Sequence, residues 1–454
     1  MKMNKERRLH PALMVALAAV GFALATMLCH WLLRHEAIYN VFGRAVPTYV
    51  KVTHEDGSWE AQRVRAPFTQ PTNENMLAWD AGHYDEIRQY LYDTNKMWEG
   101  NFAFYPLFPL AWRASRLGAM GVAALNYLLY AMGMALVALA LGRGLARWQY
   151  LLMLCAPYVV IFMIPYSEAL FFLGIAMGML GLSKRMYWLY FLGFFIGCAT
   201  RAAGNILVVA WVIVDVLMAL RNRESAATAL ANMLRHIAPV VAAVLCVALL
   251  QRLRGAEHWL EYVMAQRLWG KELSWPQWPF TDWSAEGRSV TQPLVYILTL
   301  PALAWLGAQA WHAVRPPTHE RAQERYALRL LSVLFFVGNV MLALFTQRGC
   351  LFSLARLLTC TPFFVFLIAD LCAASKPKGW MYGMLCAMVA AICLVPNKGM
   401  VGGWLVLLLC TLVFMGDRLA PRPRGIVLGA TLGLNVCWTA YLFNCFLTGG
   451  WIFT

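Results

Sequence analysis

Apolar runs long enough to cross a bilayer recur from one end of this chain to the other, and no other feature restricts its fold as strongly. A hydrocarbon core about 30 Å thick is spanned by about 20 apolar residues in a helix. With the charged breaks taken as boundaries, spans fall near 11–33, 119–142, 149–164, 168–183, 186–201, 204–220, 236–253, 291–313, 327–346, 357–373, 380–395, 401–416 and 426–447. Several of these are short, which signals tilted, broken or paired half-helices. At 61% hydrophobic and 13% charged residues, the 454-residue chain carries more apolar surface than a soluble core hides. The expectation is an all-α polytopic membrane protein with about 11–13 transmembrane helices, forming one membrane domain over 1–454.

The basic residues orient these spans. With the N-terminus cytoplasmic, the inner segments hold 20 of the 38 Lys and Arg residues, whereas the short outer turns hold only four: Arg201, Arg348, Arg356 and Lys398. The net charge of +15 is then mainly complementarity to inner-leaflet lipid, and nucleic acid is excluded as its partner. Residues 1–33 begin like a secretory signal, but the apolar run of about 23 residues exceeds a signal-peptide core and reads as a retained first span. The twelve Cys show no metal-ligand spacing and read as small core residues, with Cys29, Cys350 and Cys445 near the outer face and open to oxidation.

Two outer segments are long enough for chemistry: a first loop at 34–118, with a polar insert at 44–75, and a second at 254–290. Both mix charge with Trp, Tyr and Phe, which suits elements lying along a membrane surface. In the first, "MLAWDAGHYDEIRQYLYD" (76–93) concentrates Asp80, Asp85, Glu86 and Asp93. A helix over 80–92 gives Tyr84, Ile87 and Leu91 a common apolar face. Asp80 then caps the helix start, Asp85 pairs with Arg88, and the other acids are solvated. Taken alone, the stretch needs no catalysis to explain it. Pro106 and Pro109 in "YPLFP" argue against a helix interior and for a segment bending back into the membrane surface.

The wider pattern suggests more. "WDAGHYDEI" followed by "FAFYPLFPL" resembles the signature of bacterial membrane mannosyltransferases related to the second mannosyltransferase of GPI-anchor assembly, the PIG-V family of the GT-C superfamily. "PYSEALFFL" (165–173), "CATRAAGNIL" (198–207) and "AQRLWGKELSWP" (265–276) resemble further elements of that family, in the same order. The resemblance covers roughly 79–280, is much thinner in the C-terminal third, and does not include so long an insert at 44–75. It implies a GT-C-type glycosyltransferase that takes a sugar, mannose, from a polyprenyl-phosphate donor at the outer face, with Asp80 as its catalytic carboxylate.

The chemistry is compatible with that role. A glycosidase uses two carboxylates because its alkoxide leaving group needs protonation. A phosphate-linked sugar already leaves as a stabilised anion, so one base suffices to take the acceptor proton during inverting attack. His83 orients Asp80, contacts a sugar hydroxyl or is simply a polar interfacial residue. The leaving phosphate calls for cations: Arg201, Arg348, Arg356 and Lys398, with Arg267 and Lys271 in the second loop. Arg201 leads, because a charge beside a span costs roughly 2.5–3.5 kcal/mol and demands a partner or a function. Its alternative is an ion pair with Glu168, whereas Arg348 and Arg356 are expected to snorkel to headgroups. Trp269 and Trp275 stack on a sugar or anchor at the interface. The candidate substrate-binding set is Trp79, His83, Tyr84, Glu168, Arg201, Arg267, Trp269, Lys271, Arg348 and Arg356, with membrane lipid, the prenyl-phosphate donor and an undefined acceptor as partners of a monomer. No metal or other cofactor is expected, although Asp80, Asp85 and Glu86 are a conceivable cation cluster. The rival class is a transporter or lipid-linked-sugar flippase, disfavoured by the lack of repeated halves and by acids clustering outside the bilayer. A transferase of the same fold for another sugar remains open.

Overall fold

The computed structural model describes residues 10–43, 48–53, 59–64, 67–142, 145–275, 291–314, 323–346, 353–374, 378–394 and 400–452. Among the described residues, eight helices are long and apolar enough to cross a membrane: Pro11–Leu32, Ala119–Leu141, Ala202–Asn222, Ala226–Leu253, Ile297–Val314, Arg325–Thr346, Val401–Arg418 and Pro421–Leu447. Four of the other expected spans form shorter apolar helices, Glu168–Ser183, Tyr187–Thr200, Pro362–Ala373 and Gly379–Cys393. The chain is a multi-pass membrane protein built of helices. One exception lies in the polar insert, where strands Thr48–Thr53 and Trp59–Val64 pair antiparallel as a hairpin.

The thirteenth expected span, 149–164, is not a membrane-length helix. After a short helix Arg147–Leu152 the chain continues through single turns Met153–Cys155 and Val159–Met163. Irregular backbone at membrane depth survives only where other groups satisfy its carbonyls. Here two amides do so: Asn435 Nδ2 donates to Leu154 O (3.1 Å) and Ala156 O (2.9 Å), and Asn126 Nδ2 donates to Ile164 O and Tyr166 O, both at 2.8 Å. The crossing is buried throughout 152–168 and lies inside the bundle. The expected span 357–373 is also divided, into Leu354–Thr359 and Pro362–Ala374.

The helices Glu168–Ser183 and Tyr187–Thr200 approach until their backbones touch. A Cβ on Gly193 would lie 2.2 Å from Gly178 N, and one on Gly174 would lie 2.6 Å from Gly197 N. Without a hydrophobic driving force between helices in lipid, small residues at the contact let dispersion hold such a pair together. The pairing sets the start of one helix, Ser167 and Glu168, beside the end of the other, Thr200 and Arg201.

Candidate functional site

The helix Asp80–Tyr90 starts from a strained turn: Trp79 has φ +56°, which a residue with a side chain adopts only when its surroundings hold it there. Its indole does the holding, donating to Gly449 O (3.0 Å) and Gly450 O (3.1 Å), with its ring edge-on to Trp451 at 4.9 Å. Trp79 is thus occupied by the chain's own C-terminal segment. Asp80, expected to cap this helix, is its first helical residue instead; the cap position is Trp79, which makes no side-chain capping bond. Its backbone N–H donates to Tyr166 Oη (3.2 Å), and its carboxylate accepts from Arg356 Nη2 (2.8 Å).

Arg356 is the centre of a four-charge cluster. Nε and Nη2 reach Glu168 Oε1 at 2.7 and 2.6 Å, and Arg201 Nη1 meets the same oxygen at 2.6 Å. Arg201 also donates to Ser167 Oγ (3.0 Å), which shares a hydrogen bond with the Tyr84 hydroxyl (2.6 Å). Side-chain exposure is 5% for both Arg356 and Glu168, 13% for Arg201 and 21% for Asp80, so Asp80 is the most accessible of the four. Burial pushes the Asp80 carboxyl upward, but the Arg356 guanidinium, helped by Arg201 and His83, outweighs it and holds the group below the usual carboxylate range. Lys271 completes the surroundings. The residue is exposed overall, yet desolvation of its ammonium lowers it from the usual lysine range, with Asp80 opposing and Arg201 and Arg356 adding to the effect.

Several expectations change here. Arg356 does not snorkel; it is buried and links two acids. Arg201 pairs with Glu168, the alternative ranked second from the sequence. Asp85 is buried, not solvated, although the expected Arg88 contact forms (2.7 Å), joined by Gln89 Nε2 at 2.5 Å. Glu86 accepts from Asn101 Nδ2 (2.6 Å), so Asp80, Asp85 and Glu86 do not converge on a common point. Among the described residues no group of three or more His, Cys, Asp or Glu side chains is arranged to hold a metal ion. Pro106 and Pro109 do not bar a helix: Leu107–Ser115 begins right after Pro106 and takes Pro109 in its first turn, where a missing N–H costs nothing. Arg267 is exposed, and among the described residues no side-chain bond joins it to the cluster. Trp275 is 89% exposed, Cys29 is partly buried, Cys445 is buried and so, contrary to expectation, not open to oxidation, and Arg348, Lys398 and Cys350 lie outside the described residues.

Beside Asp80 the two loops meet in an aromatic box. His83 stacks on Phe104 (5.3 Å) and faces Trp269 (5.0 Å) and Trp98 (5.8 Å), and Trp269 Nε1 donates to Gly100 O (2.9 Å). His83 Nδ1 is buried without a hydrogen-bond partner among the described residues. Tyr84 packs against Phe104 and Phe108, both at 5.1 Å, and its hydroxyl meets Ser167 Oγ. Tyr166, Ser167 and Trp98 are the members that sequence reasoning did not single out, although Tyr166 and Ser167 sit inside the quoted "PYSEAL" element. Compared with protein-family models, curated proteins and solved structures, the chain matches none.

Proposed function

We propose that this protein is an inverting glycosyltransferase that moves a sugar, mannose, from a polyprenyl-phosphate donor to an acceptor hydroxyl at the outer membrane surface, with Asp80 as general base. The observation that carries the reading is a partly accessible carboxylate, Asp80, paired with the buried Arg356 guanidinium, which is itself linked through Glu168 to the partly buried Arg201 at one end of the helix bundle. A carboxylate for the acceptor proton and cations for the leaving phosphate are the two groups such a transfer needs.

The acceptor oxygen attacks the anomeric carbon from the face opposite the phosphate. Its proton passes to Asp80, the new C–O bond forms, and the old one breaks with its electron pair going to the phosphate oxygen. As the sugar–phosphate bond lengthens, the phosphate gains charge and competes with Asp80 for Arg356, and the carboxylate drawn away from that guanidinium becomes the stronger base. Lys271, within electrostatic reach of the same cluster, adds a third positive charge.

The test is incubation of the purified protein with polyprenyl-phosphate mannose in membranes. Transfer to a hydroxylated acceptor or to water, falling by roughly 10²–10⁴-fold in Asp80→Asn, is the expected result. Movement of the intact donor between leaflets without transfer identifies a flippase and overturns the proposal.

A further inference from the structure

Glu168 carries an oxygen that the cluster leaves unused. All three guanidinium contacts converge on Oε1, whereas Oε2 is buried and has no hydrogen-bond partner among the described residues. A buried carboxylate oxygen without a donor is costly, by about as much as a lost charged hydrogen bond, and so calls for an occupant. Glu168 also lines a narrow pocket, together with Arg201, Arg356, Phe171, Phe335 and Thr361. The pocket has room for little more than one water-sized group, too small for a phosphate or a sugar ring.

The chemistry of the walls narrows the occupant further. A cation is repelled by the two guanidiniums, and an anion is repelled by the free carboxylate oxygen. A hydroxyl suits both walls, because its O–H donates to Oε2 while its oxygen accepts from a guanidinium N–H. We infer that this pocket is a hydroxyl-reading subsite, in which Glu168 Oε2 accepts from one hydroxyl of the transferred sugar while the guanidiniums hold the adjoining phosphate. The inference rests on the transferase reading and extends it, making Glu168 a residue that distinguishes a sugar-bearing lipid from the bare lipid phosphate.

The experiment measures binding of two probes, polyprenyl-phosphate mannose and polyprenyl phosphate, to the full-length protein in nanodiscs. The wild-type ratio of the two affinities is the reference, because the bare monoester carries more negative charge than the mannosyl diester. Glu168→Gln turns the free acceptor into an N–H donor and should weaken the mannosyl lipid relative to the bare phosphate by roughly 10-fold or more, the range of one hydrogen bond to a charged acceptor. Ala203→Leu, which fills the pocket from another wall without touching a charge, should do the same and covers the case in which Glu168→Gln fails to fold. Equal weakening of both probes in either folded variant shows that Glu168 supports only phosphate binding or packing. Unchanged discrimination shows that the pocket holds only a resident water. Either result overturns the subsite while leaving the transferase reading intact, whereas wild type that binds neither lipid removes both.

Discussion

Replacing Arg356 with Met tests the centre of the cluster most directly. Arg356 supplies two of the three short contacts to Glu168 Oε1 and the guanidinium bond to Asp80. Its removal leaves Glu168 with Arg201 alone and Asp80 without its guanidinium partner. Removing one member of a buried ion pair costs about 3–5 kcal/mol, because the remaining charge stays desolvated. Arg201 still neutralises Glu168, and Asp80 retains 21% exposure through which water relieves it, so the lower end of that range, about 3 kcal/mol, applies. Reversible unfolding in mixed micelles should register that loss. Adding Glu168→Gln to the same chain should recover part of it, since a neutral amide needs no counter-charge. An Arg356→Met protein that unfolds within about 0.5 kcal/mol of wild type, the range of ordinary surface substitutions, would falsify the argument by showing that Arg356 is solvated.

Other consequences follow from the same contacts. The folded Asp80 carboxyl lies below its usual value, so its ionised form contributes stability above about pH 4, which is lost as the pH falls through the lower folded value. The acid limb of kcat/KM, which reports the free enzyme, should accordingly lie below about pH 4 and move upward in Arg356→Met, where only Arg201 and His83 still oppose burial; a limb that stays in place counts against Asp80 as the base. Trp269→Ala removes the Gly100 contact and one wall of the aromatic box, so amides of 98–104 and 261–269 should exchange faster together, and unchanged protection refutes the docking of the two loops. Asn435→Leu strips donors from Leu154 O and Ala156 O and should cost about 1–3 kcal/mol in the same unfolding assay; a neutral result means that the broken crossing finds other donors.

How much was legible in the sequence differs element by element, for physical reasons. The helix Glu168–Ser183 falls where the apolar run places it, and Ala119–Leu141 ends within a residue of expectation, because lipid forces the backbone to bond within its own segment wherever the run is apolar and uninterrupted. The crossing at 149–164 has the same composition, but its carbonyls are satisfied by Asn126 and Asn435, far away in sequence. Its short length, with Pro157 and Pro165, is the local signal. The site shows the same division. Asp80, Glu168 and Arg201 stand out because each interrupts an apolar or aromatic setting. Arg356 does not stand out in the sequence, because its partners lie 188 and 276 residues away and no local window reveals that a charge at a span end is buried.

The charge count of the cluster bears on why Arg356 serves both acids. Two carboxylates and two guanidiniums sum to zero, the arrangement that low-dielectric surroundings tolerate at least cost. On the proposed reaction, the donor phosphodiester brings one negative charge, for which Lys271 is the available counter-charge. As the sugar departs, the phosphate gains a second negative charge while Asp80 loses one by accepting the acceptor proton. The total is unchanged, but the negative charge has moved from Asp80 to the phosphate. Arg356, no longer needed by a protonated Asp80, is then free to pair with the leaving group, whereas its hold on Glu168 keeps it in place throughout. A guanidinium anchored on one acid and exchangeable on another favours the charge distribution that develops during bond cleavage, and stabilisation confined to that stage is what accelerates a reaction.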